Sequence, residues 1–199
     1  MAAVFHNVSY RVDSLSNLIF STTIYKRPEL TKIFLDQQRR ILSERGYQTS
    51  VVGSEGRNSL NLSKGLKYFE HTNQPLGQKW NYGVVKCKSS RPNHVVILGS
   101  DDFVSESWID LWEQKMQEGF DLICSEDCFF YCRKTGRLKY WPGYEGTRKG
   151  ESIGMGRALS KRILDRINWK PFKKIRSGLD HSMMQKIDRI EYRTCVVNL

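Results

Sequence analysis

Two adjacent carboxylates, Asp101 and Asp102, close the segment Val95-Val96-Ile97-Leu98-Gly99-Ser100-Asp101-Asp102. Carboxylates at the end of an apolar strand are costly unless a positive partner offsets them. A hard divalent cation, Mg²⁺ or Mn²⁺, is such a partner. It takes one or two protein carboxylates and completes its shell with substrate phosphate oxygens. The same residues also suit a capped helix start with acids in its first turn. Taken alone, the segment leaves both readings open.

Other reactive side chains sit beside apolar runs or glycines. Thr22, Thr23 and Arg27 follow the apolar run at 18–20, where small hydroxyl residues let a nucleotide approach the backbone and a guanidinium can meet a phosphate bidentately. Glu55 follows a second such run and can accept hydrogen bonds from a base or ribose; a solvated loop carboxylate is the plainer reading. Lys79 and Trp80 open a helical stretch whose N-terminus can face phosphates, although the local pattern matches neither dinucleotide nor P-loop spacing. Trp141 and Tyr144 flank Pro142-Gly143 and suit the flat face of a sugar or base. Asp180 offers a carboxylate base and His181 a base or metal ligand. Cys124, Cys128 and Cys132 lack the CxxC knuckle of a zinc site, and buried thiols account for them better.

The elements that must position these groups alternate. An apolar strand at 18–23 leads to a helix that begins at Pro28 and stops at Gly46. A strand at 47–52 and helices at 60–68 and 78–88 follow. Then come a strand at 94–98, a helix near 107–119 and a strand from 122. Alternation of this kind predicts an α/β fold with a mostly parallel central sheet flanked by helices. Ligands of such sheets bind at the carboxyl ends of the strands, so the loops at 22–28, 53–58 and 99–103 should converge on one crevice.

The 199 residues suit one domain, divided at about residue 130 into a donor- and metal-binding half and a basic acceptor-side half. The net charge is +11, and residues 130–199 carry 17 Lys and Arg against 6 Asp and Glu. That asymmetry suggests a polyanionic partner. No apolar run approaches the roughly 18 residues that span a bilayer. The opening MAAVFHNVSYRVDS lacks the basic start and apolar centre of a signal peptide, so a cytoplasmic protein is expected.

In this order and spacing, the segments resemble family 2 glycosyltransferases of the GT-A fold over about residues 17–187. Residues 19–28 look like the first strand and its loop, 51–56 like the nucleotide-binding turn, 75–83 like the GLxxARNxG segment, 97–102 like the DxD region, and 178–180 like the late segment carrying the base. The resemblance implies a Rossmann-like nucleotide-sugar-binding domain, a nucleotide-sugar donor (often a UDP-sugar), a divalent metal and an inverting transfer. By position, Asp102 would bind the metal, Asp101 the ribose or sugar, Glu55 would lie near the base, and Asp180 would deprotonate the acceptor. The chain departs from the pattern at Gly53-Ser54, where aspartates are usual, and at Leu179, where Glu is common. It also departs at Gly99, which stands in place of the first Asp and makes His181 a candidate third ligand.

The compact length is similar to small bacteriophage glycosyltransferases, some of which modify 5-hydroxymethylpyrimidines in DNA. With the basic last third, this makes hydroxymethylated DNA the expected acceptor, contacted by Trp141, Tyr144, Arg148, Lys149 and Arg157. The alternatives are a transferase for a cell-surface saccharide or small-molecule acceptor, and a non-catalytic nucleic-acid-binding module.

Overall fold

The computed structural model describes residues 17–197. The segment read for a targeting signal lies outside the described residues. The chain enters as β1 (Leu18–Thr23), α1 (Pro28–Arg45) and β2 (Gln48–Gly53), continues as α2 (Arg57–Leu62), β3 (Lys67–Glu70), α3 (Leu76–Cys87) and β4 (His94–Ile97), and then forms α4 (Glu106–Gln117) and β5 (Leu122–Ser125). A hairpin of β6 (Cys128–Cys132) and β7 (Arg137–Trp141) stands apart as its own two-stranded sheet. The last elements are β8 (Arg157–Ser160), α5 (Lys161–Arg166), α6 (Leu179–Ile187) and β9 (Thr194–Val197).

Seven strands form one sheet in the order β3-β2-β1-β4-β8-β5-β9. Only β8 runs against its neighbours, pairing antiparallel with β4 and β5. The expected mostly parallel sheet is therefore present. Its strands are buried throughout β1, β4, β5 and β8, which is why they read as apolar runs rather than as alternation.

Successive residues of each strand feed opposite faces. Ile19, Val95 and Ile97 join Trp80, Val84, Ile163, Met183 and Ile187 on the side of α3, α5 and α6. Leu18, Phe20, Val96 and Leu98 join Phe34, Leu35, Ile41, Ile109 and Trp112 on the side of α1 and α4. The sheet is thus the middle of three layers. The chain winds outward from β1 through β2 to β3, then returns to place β4 on the other side of β1. The order of winding reverses between β1 and β4, and their carboxyl ends open the crevice where such sheets bind ligands.

One expected element is corrected. The helix anticipated over 60–68 ends at Leu62, and 67–70 is strand β3. Local spacing there is compatible with a helix, but Tyr68 and Phe69 pair in parallel register with Val51 and Val52. The exposed edge of β2 outweighs the local preference.

Candidate functional site

Asp101 and Asp102 lie in the loop after β4, and the structure removes one of their two readings. The following helix begins at Glu106, and its cap is Ser105, whose Oγ accepts from the Trp108 amide at 3.2 Å. Ser100-Asp101-Asp102 is therefore not a helix cap. Asp102 instead folds back, its Oδ2 accepting from the Gly99 amide at 2.9 Å. A Cβ at position 99 would come within 2.6 Å of that oxygen. Glycine at this position is what lets the Asp102 carboxylate turn inward.

The three loops at the strand ends meet. The Lys26 amide donates to Glu55 Oε2 at 2.7 Å, tying the loop after β1 to the loop after β2. Arg27 donates to Asp101 Oδ2 at 2.7 Å, tying the first loop to the carboxylate pair. Lys26 and Arg27 hold this position with φ of 56° and 49°. That left-handed backbone is uncommon for residues with a Cβ and is found where surroundings over-determine a functional loop.

Charge in the crevice is lopsided. Burial pushes the Asp102 carboxyl up to about 6; the negative charges of Asp101 and Asp180 add to this, and the Gly99 amide and Arg27 oppose it. Asp180, in the first turn of α6, therefore acts electrostatically on the loop after β4 although 78 positions separate the two in sequence. A hard cation fits this excess of carboxylate charge. Asp102 with Asp101 would supply the protein side of its shell, leaving positions for phosphate oxygens. Among the described residues, no group of three His, Cys, Asp or Glu is placed to hold a metal unaided.

The remaining candidates fall into distinct places. Thr22 is fully enclosed in β1, and its Oγ1 has no hydrogen-bond partner; Thr23, at the strand end, keeps 9% exposure. Of the two, only Thr23 keeps any exposed surface. Lys79 is likewise corrected from a surface phosphate contact. It is fully buried in α3, and its Nζ donates to the Ile24 carbonyl at 2.7 Å and Asn73 Oδ1 at 3.1 Å. Burial pulls its ammonium down to about 8, against the opposing pull of Glu70 and Glu55. Lys79 thus props the β1 loop from beneath.

Arg148, Arg157, Asp180 and His181 line one cavity of about 310 Å³, together with Leu122, Cys124 and Met184. Arg157 is corrected from an exposed acceptor contact. It is only 1% exposed, donates to the Ser152 carbonyl at 2.6 Å and lies 3.6 Å from the Asp180 carboxylate. It therefore braces Asp180 rather than reaching outward. Asp180 is also hemmed in by Gly154, where a Cβ would sit 2.3 Å from Oδ1 and 2.4 Å from Oδ2.

His181 is exposed, with Nε2 2.9 Å from the Gln185 amide nitrogen. It lines the Asp180 cavity, whereas Asp101 and Asp102 line a different cleft. The structure does not bring it beside Asp102 as a third ligand. Trp141 meets Tyr144 edge-on at 5.0 Å, and Arg148 lies 3.5 Å over the Tyr144 ring. That ring face is covered, while Lys149 beside it is exposed. Cys124 and Cys128 are buried and Cys132 is exposed, all as free thiols. The sequence offers Gly154 only as one of the glycines that suit a sugar or base face, not as a neighbour of Asp180. Its signal is a spatial approach between positions far apart in the chain, which spacing cannot reveal.

No family model and no curated protein matches the chain. Solved structures match it in fold. CMP:2-keto-3-deoxy-manno-octonic acid synthetase complexed with CTP aligns with a TM-score of 0.58 and 12% identity over 92% of this chain and 91% of its own. A putative nucleotide-diphospho-sugar transferase from Desulfovibrio desulfuricans aligns at 0.54 and 12% over 92% and 80%. A mannosyltransferase from Pyrobaculum calidifontis, in complex with GDP-Man and Mn²⁺, aligns at 0.61 and 13% over 92% of this chain and 55% of its own longer one. The likeness is one of fold, an α/β architecture with a mostly parallel sheet.

Proposed function

We propose that the chain is a metal-dependent glycosyltransferase that moves a sugar from a nucleotide-sugar, a UDP-sugar in the first instance, to a hydroxyl acceptor. The observation that carries this is the meeting of three loops at the carboxyl ends of β1, β2 and β4, where Glu55, Arg27 and the Asp101-Asp102 pair gather. Asp180 lines a separate cavity, near enough for its charge to act on Asp102. Glu55 and Thr23 would face the nucleoside, and Arg27 the diphosphate.

Asp102, with Asp101, would hold a Mg²⁺ or Mn²⁺ ion, which when bound offsets negative charge on the departing diphosphate. Asp180 takes the proton from the acceptor hydroxyl. The freed oxygen attacks the anomeric carbon as the bond to the diphosphate breaks, and a single displacement of this kind inverts that centre. Arg157, 3.6 Å from the Asp180 carboxylate, holds it in place.

Hydroxymethylated DNA remains the acceptor proposed from the basic last third, with a saccharide or small molecule as the alternative. The test offers each acceptor with a panel of nucleotide sugars and Mn²⁺, read by release of nucleoside diphosphate and mass spectrometry of the acceptor. Loss of sugar transfer in Asp102→Ala and Asp180→Ala is expected. Binding of DNA with no donor turnover would instead favour the non-catalytic module.

A second reading is supported by the likeness to the CTP-complexed synthetase, which covers nearly the whole of both chains. In that reading a nucleoside triphosphate is the substrate. Pyrophosphate release from CTP or UTP in the presence of a sugar acid or sugar phosphate, with no nucleoside diphosphate from any nucleotide sugar, would select it.

A further inference from the structure

The β6–β7 hairpin is the most exposed apolar feature among the described residues. Phe129, Phe130, Tyr131, Leu138 and Tyr140 are between 46% and 64% exposed, within a ribbon of ten strand residues. Cross-strand register puts Phe129 with Tyr140 and Tyr131 with Leu138 on one face, and Phe130 with Lys139 on the other. Apolar side chains thus occupy both faces of a ribbon that pairs with no other strand among the described residues. Contiguous exposed apolar area of this kind marks a contact surface.

The same ribbon is purely cationic. Residues 128–141 contain Arg133, Lys134, Arg137 and Lys139 and no acid. Arg133 reaches Glu29 at the start of α1, 3.4 Å away. The other three make no ion pair among the described residues. The hairpin therefore joins large apolar side chains to uncompensated positive charge.

We infer that this hairpin docks on an anionic lipid bilayer at the headgroup level. Phe, Tyr and Trp favour that depth, and Lys and Arg keep their stems in apolar surroundings while their charges meet lipid phosphates. A nucleic acid also rewards aromatic rings beside cations. It stacks on ring faces along one side of a ribbon, however, and offers nothing to Leu138. A bilayer interface surrounds what enters it and so accepts both faces. Phe129, Tyr131 and Leu138 also line the cleft of about 680 Å³ that contains Asp101 and Asp102, so docking would set that cleft against the membrane surface. The inference does not depend on the transferase reading. Among the described residues no helix is long and apolar enough to cross a membrane, and interfacial docking requires none.

The experiment is sedimentation of the full chain with vesicles of phosphatidylcholine alone and of phosphatidylcholine with about 30% phosphatidylglycerol, at low and high salt. The expected result is salt-sensitive retention on the anionic vesicles only, with a blue shift of tryptophan fluorescence. Each removed cation should lower partitioning about fivefold, so K134Q/R137Q/K139Q together should lower it about a hundredfold. F130S/Y131S/L138S should lower it by at least tenfold while leaving the circular dichroism spectrum unchanged, because all three side chains are already mostly in water. Three results would each overturn the inference. These are absence of retention on anionic vesicles at low salt, retention that survives both triple variants, and binding of oligothymidylate that both variants abolish while vesicles are ignored. Equal retention on neutral vesicles would refute the charge complementarity on which it stands.

Discussion

Gly154→Ala tests whether Asp180 is the acceptor base without touching Asp180. An added Cβ would stand 2.3 Å from Oδ1 and 2.5 Å from Cγ, where ordinary contact begins at 3.4 Å. The carboxylate must therefore move by roughly 1 Å, the difference between those distances. It can do so cheaply, being the end of a rotatable side chain that is 44% exposed. Gly154 is not among the positive-φ glycines, so its backbone accepts alanine. Stability should change by less than about 1 kcal/mol and can even rise, because alanine restricts the unfolded chain.

Activity should not be spared. A displacement of about 1 Å at a reacting group costs on the order of 100-fold, and outright loss of a general base costs about 100- to 10,000-fold. The assay is steady-state sugar transfer, with kcat and the donor and acceptor KM determined separately. We expect kcat to fall about 100-fold with the donor KM unchanged and the melting temperature within a few degrees. Adding Gly154→Ala to Asp180→Ala should cause no further loss, because both changes act through one carboxylate. Wild-type turnover in Gly154→Ala, or full additivity in the double variant, would refute the assignment of Asp180.

Two further outcomes follow from buried charge. Asp102→Asn should abolish metal-dependent donor turnover yet raise the melting temperature measured without metal. A carboxyl held at about 6 rather than 3.8 destabilises the fold at neutral pH by up to about 3 kcal/mol, and the isosteric amide keeps the acceptor for the Gly99 amide. A melting temperature equal to or below wild type would contradict the burial argument. For Lys79, the native ammonium loses its proton near 8 and the unfolded one near 10.5. Between those values the unfolded chain binds more protons, so stability should rise with pH across that window by up to about 3 kcal/mol. Denaturant melts from pH 7 to 10 should show this rise in wild type and its absence in Lys79→Met.

The parts of the fold legible in the sequence are those whose signal is local. β1, α1, β2, α3, β4 and α4 were each read within a residue or two of their ends, because buried parallel strands are continuous apolar runs and Pro28 and Gly46 punctuate α1. β3 was misread because KYFE is a strand only by virtue of the edge of β2. Beyond residue 122 the sheet was not legible. β8 is antiparallel between two strands that precede it, and β9 completes the edge from the far end of the chain. Nothing in RALS or TCVV announces those partners. Of the hairpin, the apolar run through Cys132 reads as strand, but its separation from β5 and its pairing with β7 do not. Apolar residues on both faces of β6 and β7 hide the alternation of a half-buried strand.

The site divides the same way, and the division bears on how strongly each residue is argued. Asp101 and Asp102 were visible because a carboxylate pair after an apolar strand is anomalous in one dimension. Their alternative, a helix cap, was removed only by the three-dimensional fact that Ser105 caps α4. Lys79 and Arg157 looked like ligand contacts because sequence reveals charge but not depth. Once buried, each has a structural partner close enough to explain its presence: the Ile24 carbonyl for one, the Ser152 carbonyl and Asp180 for the other. Both now support the site at one remove, Lys79 beneath the loop that carries Arg27 and Arg157 behind Asp180. Charge that seemed available to a polyanion is thus partly committed inside the fold. What remains uncommitted lies on surfaces, the β6–β7 hairpin among them, and a basic partner-binding role rests on those side chains and not on Arg157.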